Sequence, residues 1–172
     1  MLELQRLQKF FCKAMSEGWA SGNDGSPSKE IAGFSEIHYS NPLAGYPDLL
    51  LVDCWGTDPA SSKATGYTTI FKISRGSNVR VPLWAMWYGG GSYPAEILPF
   101  LRAALMDSYS KGRFHGGRGP DLFEQGNLTY TNDGLLGNFA RFSGREAIID
   151  EKAGDDPLGF HEYWGGSLVY LK

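Results

Sequence analysis

A chain of 172 residues, 42% hydrophobic and 20% charged, has the make-up of one folded domain, so residues 1–172 are read as a single unit. Its 16 basic and 19 acidic residues leave a net charge of −3, which gives no bulk electrostatic support for direct nucleic-acid binding. No apolar run reaches the roughly 18 residues that span a bilayer, and the first residues lack the basic and apolar segments of a signal peptide, so a cytoplasmic setting without a membrane partner is expected.

Residues Leu2 to Glu17 place Leu4, Leu7, Phe11 and Ala14 on one stripe, with Phe10 and Met15 beside it, and predict an amphipathic helix closed by Gly18 as its C-cap. Ser21 to Ser28 is rich in turn formers and predicts a surface loop. Strands follow over Phe34–Ser40, Leu49–Trp55, Tyr67–Ile73 and Val81–Tyr88, with a loop from Pro59 to Gly66 and a turn over Arg75–Asn78. A second helix is expected between Pro94 and Lys111. It starts near Leu98, with Pro99 tolerated in its first turn and Gly112 ending it. Three further strands are predicted at Leu128–Asn132, Asn138–Asp150 with a bend at Gly144, and Phe160–Leu171. The two cysteines, Cys12 and Cys54, fall in a helix and an apolar strand and read as small buried hydrophobes.

Two stretches repeat. Gly66-Tyr-Thr-Thr-Ile followed by Pro82-Leu-Trp-Ala-Met-Trp-Tyr-Gly-Gly matches Gly144-Arg-Glu-Ala-Ile followed by Pro157-Leu-Gly-Phe-His-Glu-Tyr-Trp-Gly-Gly. The fold expected from these elements is α+β: a mainly antiparallel sheet built from an imperfect internal repeat and packed with two helices.

The order Trp84-Ala-Met-Trp-Tyr-Gly, a helix, Arg118-Gly-Pro, Leu128-Thr-Tyr-Thr-Asn, Phe142-Ser-Gly-Arg-Glu-Ala-Ile and Gly165-Gly166 resembles a bacterial domain of unknown function. That domain often follows a helix-turn-helix DNA-binding module of the Xre type, and this chain is similar to its stand-alone form, from about Phe10 to Leu171. It departs from the pattern at Thr68, which stands where the first copy would carry an acid. The resemblance implies a sensory role and brings no chemistry with it.

Candidate functional groups gather in the second copy. On a strand, His161 and Tyr163 share one face and Glu162 and Trp164 the other. His161 reads either as a general base or as a strand histidine bonded to a neighbour. Glu146 reads as a carboxylate held ionised by Arg141 or Arg118, either locking the sheet or orienting a ligand. Trp84, Met86 and Tyr88 point one way and Trp87 the other, so Trp84 and Tyr88 line an apolar pocket or fill the core. The loop Gly112 to Pro120 is glycine-rich but follows a helix C-terminus, so its glycines read as turn formers and not as a phosphate cradle. Arg113, His115 and Arg118 remain candidates for an anion contact. No cofactor is implied, and the spacing of His38, His115 and His161 implies no metal.

The leading reading is a non-enzymatic domain that binds a small molecule or peptide between the sheet and a helix. Its candidate contacts are Trp84, Tyr88, Arg118, Arg141, Glu146, His161, Glu162 and Tyr163. The alternatives are an enzyme using Glu146 or His161 and Glu162 for acid–base work, and an interaction protein forming a homodimer through a sheet edge or the N-terminal helix.

Overall fold

The computed structural model describes residues 2–61, 63–74, 76, 79–91, 93–154 and 156–169. Helix α1 (Leu2–Glu17) has the predicted bounds. Leu7, Phe10, Phe11, Ala14 and Met15 are buried against the sheet, and Cys12 joins them, so the apolar face is wider than the four-residue stripe. Each fully buried side chain of this kind contributes about 1.5–3 kcal/mol. Gly18 does not cap the helix in a left-handed conformation. The chain continues through a single 3-10 turn, Trp19–Ser21, and the left-handed residue is Gly22, at φ +97°. Gly18 is instead a point of close approach, since a Cβ there would lie 3.0 Å from the Ala14 carbonyl oxygen.

The strands are β1 (Ser26–Pro27), β2 (Ser35–Asn41), β3 (Tyr46–Asp58), β4 (Lys63–Ile73), β5 (Arg80–Gly91), β6 (Leu122–Gln125), β7 (Leu128–Asn138), β8 (Arg141–Asp150) and β9 (Gly159–Ser167). They form one nine-stranded sheet in the order β1-β2-β3-β4-β5-β9-β8-β7-β6, with every pairing antiparallel. Helix α2 (Leu98–Ser110) carries Pro99 in its first turn, as expected, after a 3-10 turn at Ala95–Ile97.

The differences from expectation have local causes. Ser26 and Pro27 of the predicted loop pair with β2, and the Ser28 hydroxyl donates to Glu36 at 2.8 Å. The Pro59–Gly66 loop shrinks because Asp58 accepts from the Ala60 N–H and the Ser61 hydroxyl, an Asx turn that returns the chain to strand at Lys63. Strand β6 was not anticipated, and β7 runs on to Asn138, so β8 starts at Arg141. At Gly144 the register of β8 with β9 is continuous, whereas its pairing with β7 shifts there, between Asp133 opposite Arg145 and Leu136 opposite Ser143. The turn at Arg75–Asn78, Gly76 apart, and the end of the strand expected to reach Leu171 lie outside the described residues. Cys12 and Cys54 are both buried and free.

The repeat occupies the middle of the sheet. β4–β5 and β8–β9 are equivalent hairpin pairs that meet where β5 pairs with β9, Tyr88 opposite Tyr163. Aligning Pro82-Leu with Pro157-Leu without gaps superimposes those two tyrosines, and in each half a glycine, Gly66 or Gly144, lies opposite the ring. A Cβ on Gly66 would stand 2.5 Å from Tyr88 Cζ, and one on Gly144 2.6 Å from Tyr163 Cζ. Each glycine therefore lets the tyrosine cross its neighbouring strand and reach the strand beyond. The core lies between this face of the sheet and the two helices, where Trp84, Phe139 and Phe142 stack and the Trp84 indole N–H donates to the Phe139 carbonyl at 2.8 Å. Trp87 and Trp164 stack on the opposite, exposed face, with ring centroids 4.5 Å apart.

Candidate functional site

The polar residues on the helix-facing side begin with a loop. After α2 the chain turns inward through Gly116 and Gly117, both at positive φ. A Cβ on Gly117 would stand 2.8 Å from Met86 Sδ, so only glycine lets this backbone lie flat on the sheet. Asn132 fixes the loop by donating to the carbonyls of His115 (3.0 Å) and Gly119 (2.8 Å). The Gly119 N–H donates to the Tyr130 hydroxyl at 2.9 Å, and the Tyr109 hydroxyl donates to the Gly117 carbonyl at 2.7 Å. Arg118 is thereby carried into the interior, 6% exposed.

There its Nη2 pairs with Glu146, which is fully buried. Glu146 also accepts from the hydroxyls of Tyr130 (2.7 Å) and Tyr93 (3.1 Å), and His161 Nδ1 lies 3.4 Å from its Oε1. Burial alone would raise this carboxyl. The Arg118 charge, together with the close contacts that His161 and Arg118 make with the carboxylate, outweighs burial and holds the group well below the usual carboxylate range. Burial opposes the Arg118 charge in turn, and Glu146 more than offsets it. Burial pushes Tyr88, Tyr93 and Tyr130 far up, so their hydroxyls keep their protons and act as donors.

The two halves place their acids differently. Asp53 on β3 pairs across the sheet with Thr68, and Asn132 on β7 with Glu146. Asp53 and Asn132 are thus equivalent, as are Thr68 and Glu146. The Tyr88 hydroxyl donates to Asp53 at 3.1 Å, as the Tyr163 hydroxyl does to Asn132. The first half has not lost its acid at Thr68; it carries the acid one strand over. Thr68 donates to Asp53 Oδ1 at 2.8 Å, the same oxygen that receives Tyr88. No ion pair to Asp53 occurs among the described residues, and burial raises its carboxyl against these hydroxyls and the more distant Arg118 charge.

Between this face of the sheet and α2 lies a cavity of about 320 Å³. Leu98, Leu101 and Leu105 of α2, with Met15 of α1, form its apolar side. Asp53, Tyr88, Tyr93, Tyr109, Arg118 and His161 form its polar end, and Trp19 and Trp55 also line it. At its edge Arg102 pairs with Asp24 and lies over the Trp19 ring at 4.6 Å. His161 is 6% exposed; its Nδ1 faces the Glu146 carboxylate at 3.4 Å, and its Nε2 has no hydrogen-bond partner among the described residues.

The sequence-derived candidates separate accordingly. Tyr88, Arg118 and His161 line the cavity, and Glu146 stands behind them as the group that holds Arg118. Tyr163 is buried beneath the loop at Gly116, and its hydroxyl is committed to Asn132. Trp84 belongs to the aromatic core and not to the cavity wall, because it is fully buried between Phe139 and Phe142. Arg141 is exposed at the end of β8, and of these two arginines it is Arg118 that pairs with Glu146. Glu162 is exposed on the opposite face, beside Trp164, as strand alternation requires. Asp53, Tyr93, Tyr109 and Trp55 were missed. Asp53 sits inside an apolar run, Leu49 to Trp55, and that interruption was the signal that could have found it.

A buried carboxylate saturated by a guanidinium and two hydroxyls is a weak proton acceptor, so Glu146 is suited to positioning Arg118 and poorly suited to general-base work. The open acceptor is Asp53. Among the described residues no three His, Cys, Asp or Glu side chains come together as a metal site would need, and no helix is long and apolar enough to cross a membrane. No characterised protein and no solved structure matches the chain. Residues 64–168, from the start of β4 to the end of β9, match the model of a domain of unknown function, DUF5680; this is more than half of the chain, and the protein belongs to that family.

Proposed function

We propose that this chain is a non-enzymatic, sensor-like domain that binds a small molecule between the sheet and α2. The observation that carries the reading is His161, a buried imidazole whose Nε2 has no hydrogen-bond partner among the described residues, on the wall of a cavity also lined by Asp53. A purely structural interior pairs its buried polar groups, whereas a binding site keeps some for the ligand. The resemblance to domains that follow Xre-type DNA-binding modules supports a sensory role, because such a module is regulated by whatever its companion domain binds. The saturation of Glu146 favours binding over catalysis. Short edge strands, two residues in β1 and four in β6, work against a dimer formed by sheet extension.

A thermal-shift screen of metabolites tests this. A ligand present at one hundred times its Kd adds about 2.7 kcal/mol to the folded state, which for a chain of this size is a rise of roughly 5–11 °C. Ala64 lies on the cavity wall and is only partly buried, so Ala64→Phe fills the space with little damage elsewhere. Ligands that stabilise the wild type and not Ala64→Phe support the reading; a broad library that stabilises neither, or both equally, refutes it.

A further inference from the structure

We propose that the ligand of this cavity is a small organic cation, an amine on an apolar body, whose ammonium group binds the Asp53 carboxylate among the surrounding aromatic rings. This rests on the cavity being a binding site and adds the class of molecule it accepts.

Charge balance leads to it. Of the ionised side chains that line the cavity, Arg102 and Asp24 neutralise one another, and Arg118 is neutralised by Glu146 behind it. Asp53 is left over. It is 6% exposed, and its two hydrogen bonds come from neutral hydroxyls, both on Oδ1. Arg118 Nε has no partner, but the charge of that guanidinium is already compensated. A carboxylate ligand would therefore enter a region of net negative charge, and an ammonium would complete it.

The walls agree. Tyr88, Tyr93, Trp19 and Trp55 line the same cavity. Two of these rings already hold the protein's own cations, Arg118 over Tyr88 at 5.1 Å and Arg102 over Trp19 at 4.6 Å. Ring faces beside a carboxylate form the setting in which organic ammonium groups are recognised. The α2 leucines and Met15 supply a surface for an apolar body. His161, whose Nε2 has no partner among the described residues, adds a second polar group at the same end, an acceptor for an ammonium N–H.

The test uses matched probes by calorimetry and thermal shift: phenethylamine, phenethyl alcohol and phenylacetate, and the set hexylamine, hexanol and hexanoate. The wild type should bind the amines at least tenfold more tightly than the alcohols and the carboxylates least of all. Asp53→Asn, with its fold checked by circular dichroism, should lose at least tenfold in amine affinity and leave the alcohols unchanged. Alcohols or carboxylates that bind as well as amines overturn the proposal and leave the binding reading standing. Failure of all six probes also overturns it, whereas the binding reading itself falls only if the broad library fails too. Should Asp53→Asn not fold, the rank order on the wild type decides alone.

Discussion

Glu146→Gln is the sharpest test of how the interior is held together. The substitution keeps the shape of the side chain and removes the charge, leaving Arg118 buried beside a neutral amide; the side chains are 7% and 0% exposed. The amide must also direct its NH2 at groups that now donate to Glu146, namely Arg118, Tyr93 or Tyr130. Removing one member of a buried pair costs about 3–5 kcal/mol, because the other charge stays behind uncompensated. At roughly 2–4 °C per kcal/mol for a chain of this length, the melting midpoint should fall by about 6–20 °C at neutral pH. Calorimetry on the purified variant measures this, and a midpoint within about 2 °C of the wild type would refute the assignment of Glu146 as the anchor of Arg118.

The same residue sets an acid limb. Its folded-state pKa lies well below the ordinary glutamate value of about 4.3, so its stabilisation is complete above that value and is lost progressively as pH falls from there toward the folded-state value. The wild type should therefore lose stability more steeply than Glu146→Gln below about pH 4.5. The double variant Arg118→Met with Glu146→Gln should be less damaged than the sum of the singles, since it removes the stranded charge as well. Strict additivity would mean that the two groups do not act as a pair.

Three further outcomes follow from the same geometry. Asp53→Asn should melt higher than the wild type near pH 8, because burial raises the Asp53 carboxyl and its ionised form costs stability; the gap should narrow as pH falls toward the ordinary carboxylate range, and a pH-independent gap would contradict this. Tyr130→Phe should cost about 1–3 kcal/mol by urea titration, as the Gly119 N–H and Glu146 each lose a buried partner. Gly66→Ala and Gly144→Ala should each cost about 1–3 kcal/mol, since the added methyl enters a tyrosine ring; equal stability to the wild type would deny that these glycines exist to let the rings pass.

Much of the scaffold was legible because it depends on local periodicity. The stripe of α1, the Pro99 start of α2 and the alternation of β5 each follow from side-chain spacing along one element. The repeat was legible too, since Pro82-Leu and Pro157-Leu mark strands of equal register. Long-range geometry was not. Trp84 and Tyr88 share a face of one strand, yet one is core and the other cavity wall, because Phe139 and Phe142 reach over Trp84 only. Arg118 could be paired with Glu146 by charge, but Arg141 could not be excluded until β8 placed it at an exposed end. Tyr93, before the start of α2, and Tyr109, in its last turn, converge on the cavity only when the helix packs on the sheet.

The two halves of the repeat satisfy equivalent positions differently at the proposed site. If the internal repeat served only to build a sheet, equivalent positions would be satisfied alike. They are not. In the second half Glu146 has a cation and two hydroxyls, and Asn132 is bonded through both its amide and its carbonyl. In the first half Asp53 has two hydroxyls on one oxygen, no cation, and a cavity in front of it. Sequence reasoning placed the polar function in the second copy, where Glu146 and His161 stand out. The packing gives that copy the supporting role: it fixes Arg118 and sets His161 at the cavity wall. The carboxylate without an ion-pair partner among the described residues belongs to the first copy, on a strand whose apolar run had concealed it. A buried acid without a counter-ion lowers stability when it is ionised. The pH dependence of Asp53→Asn measures that cost, and amine binding measures what the cost provides.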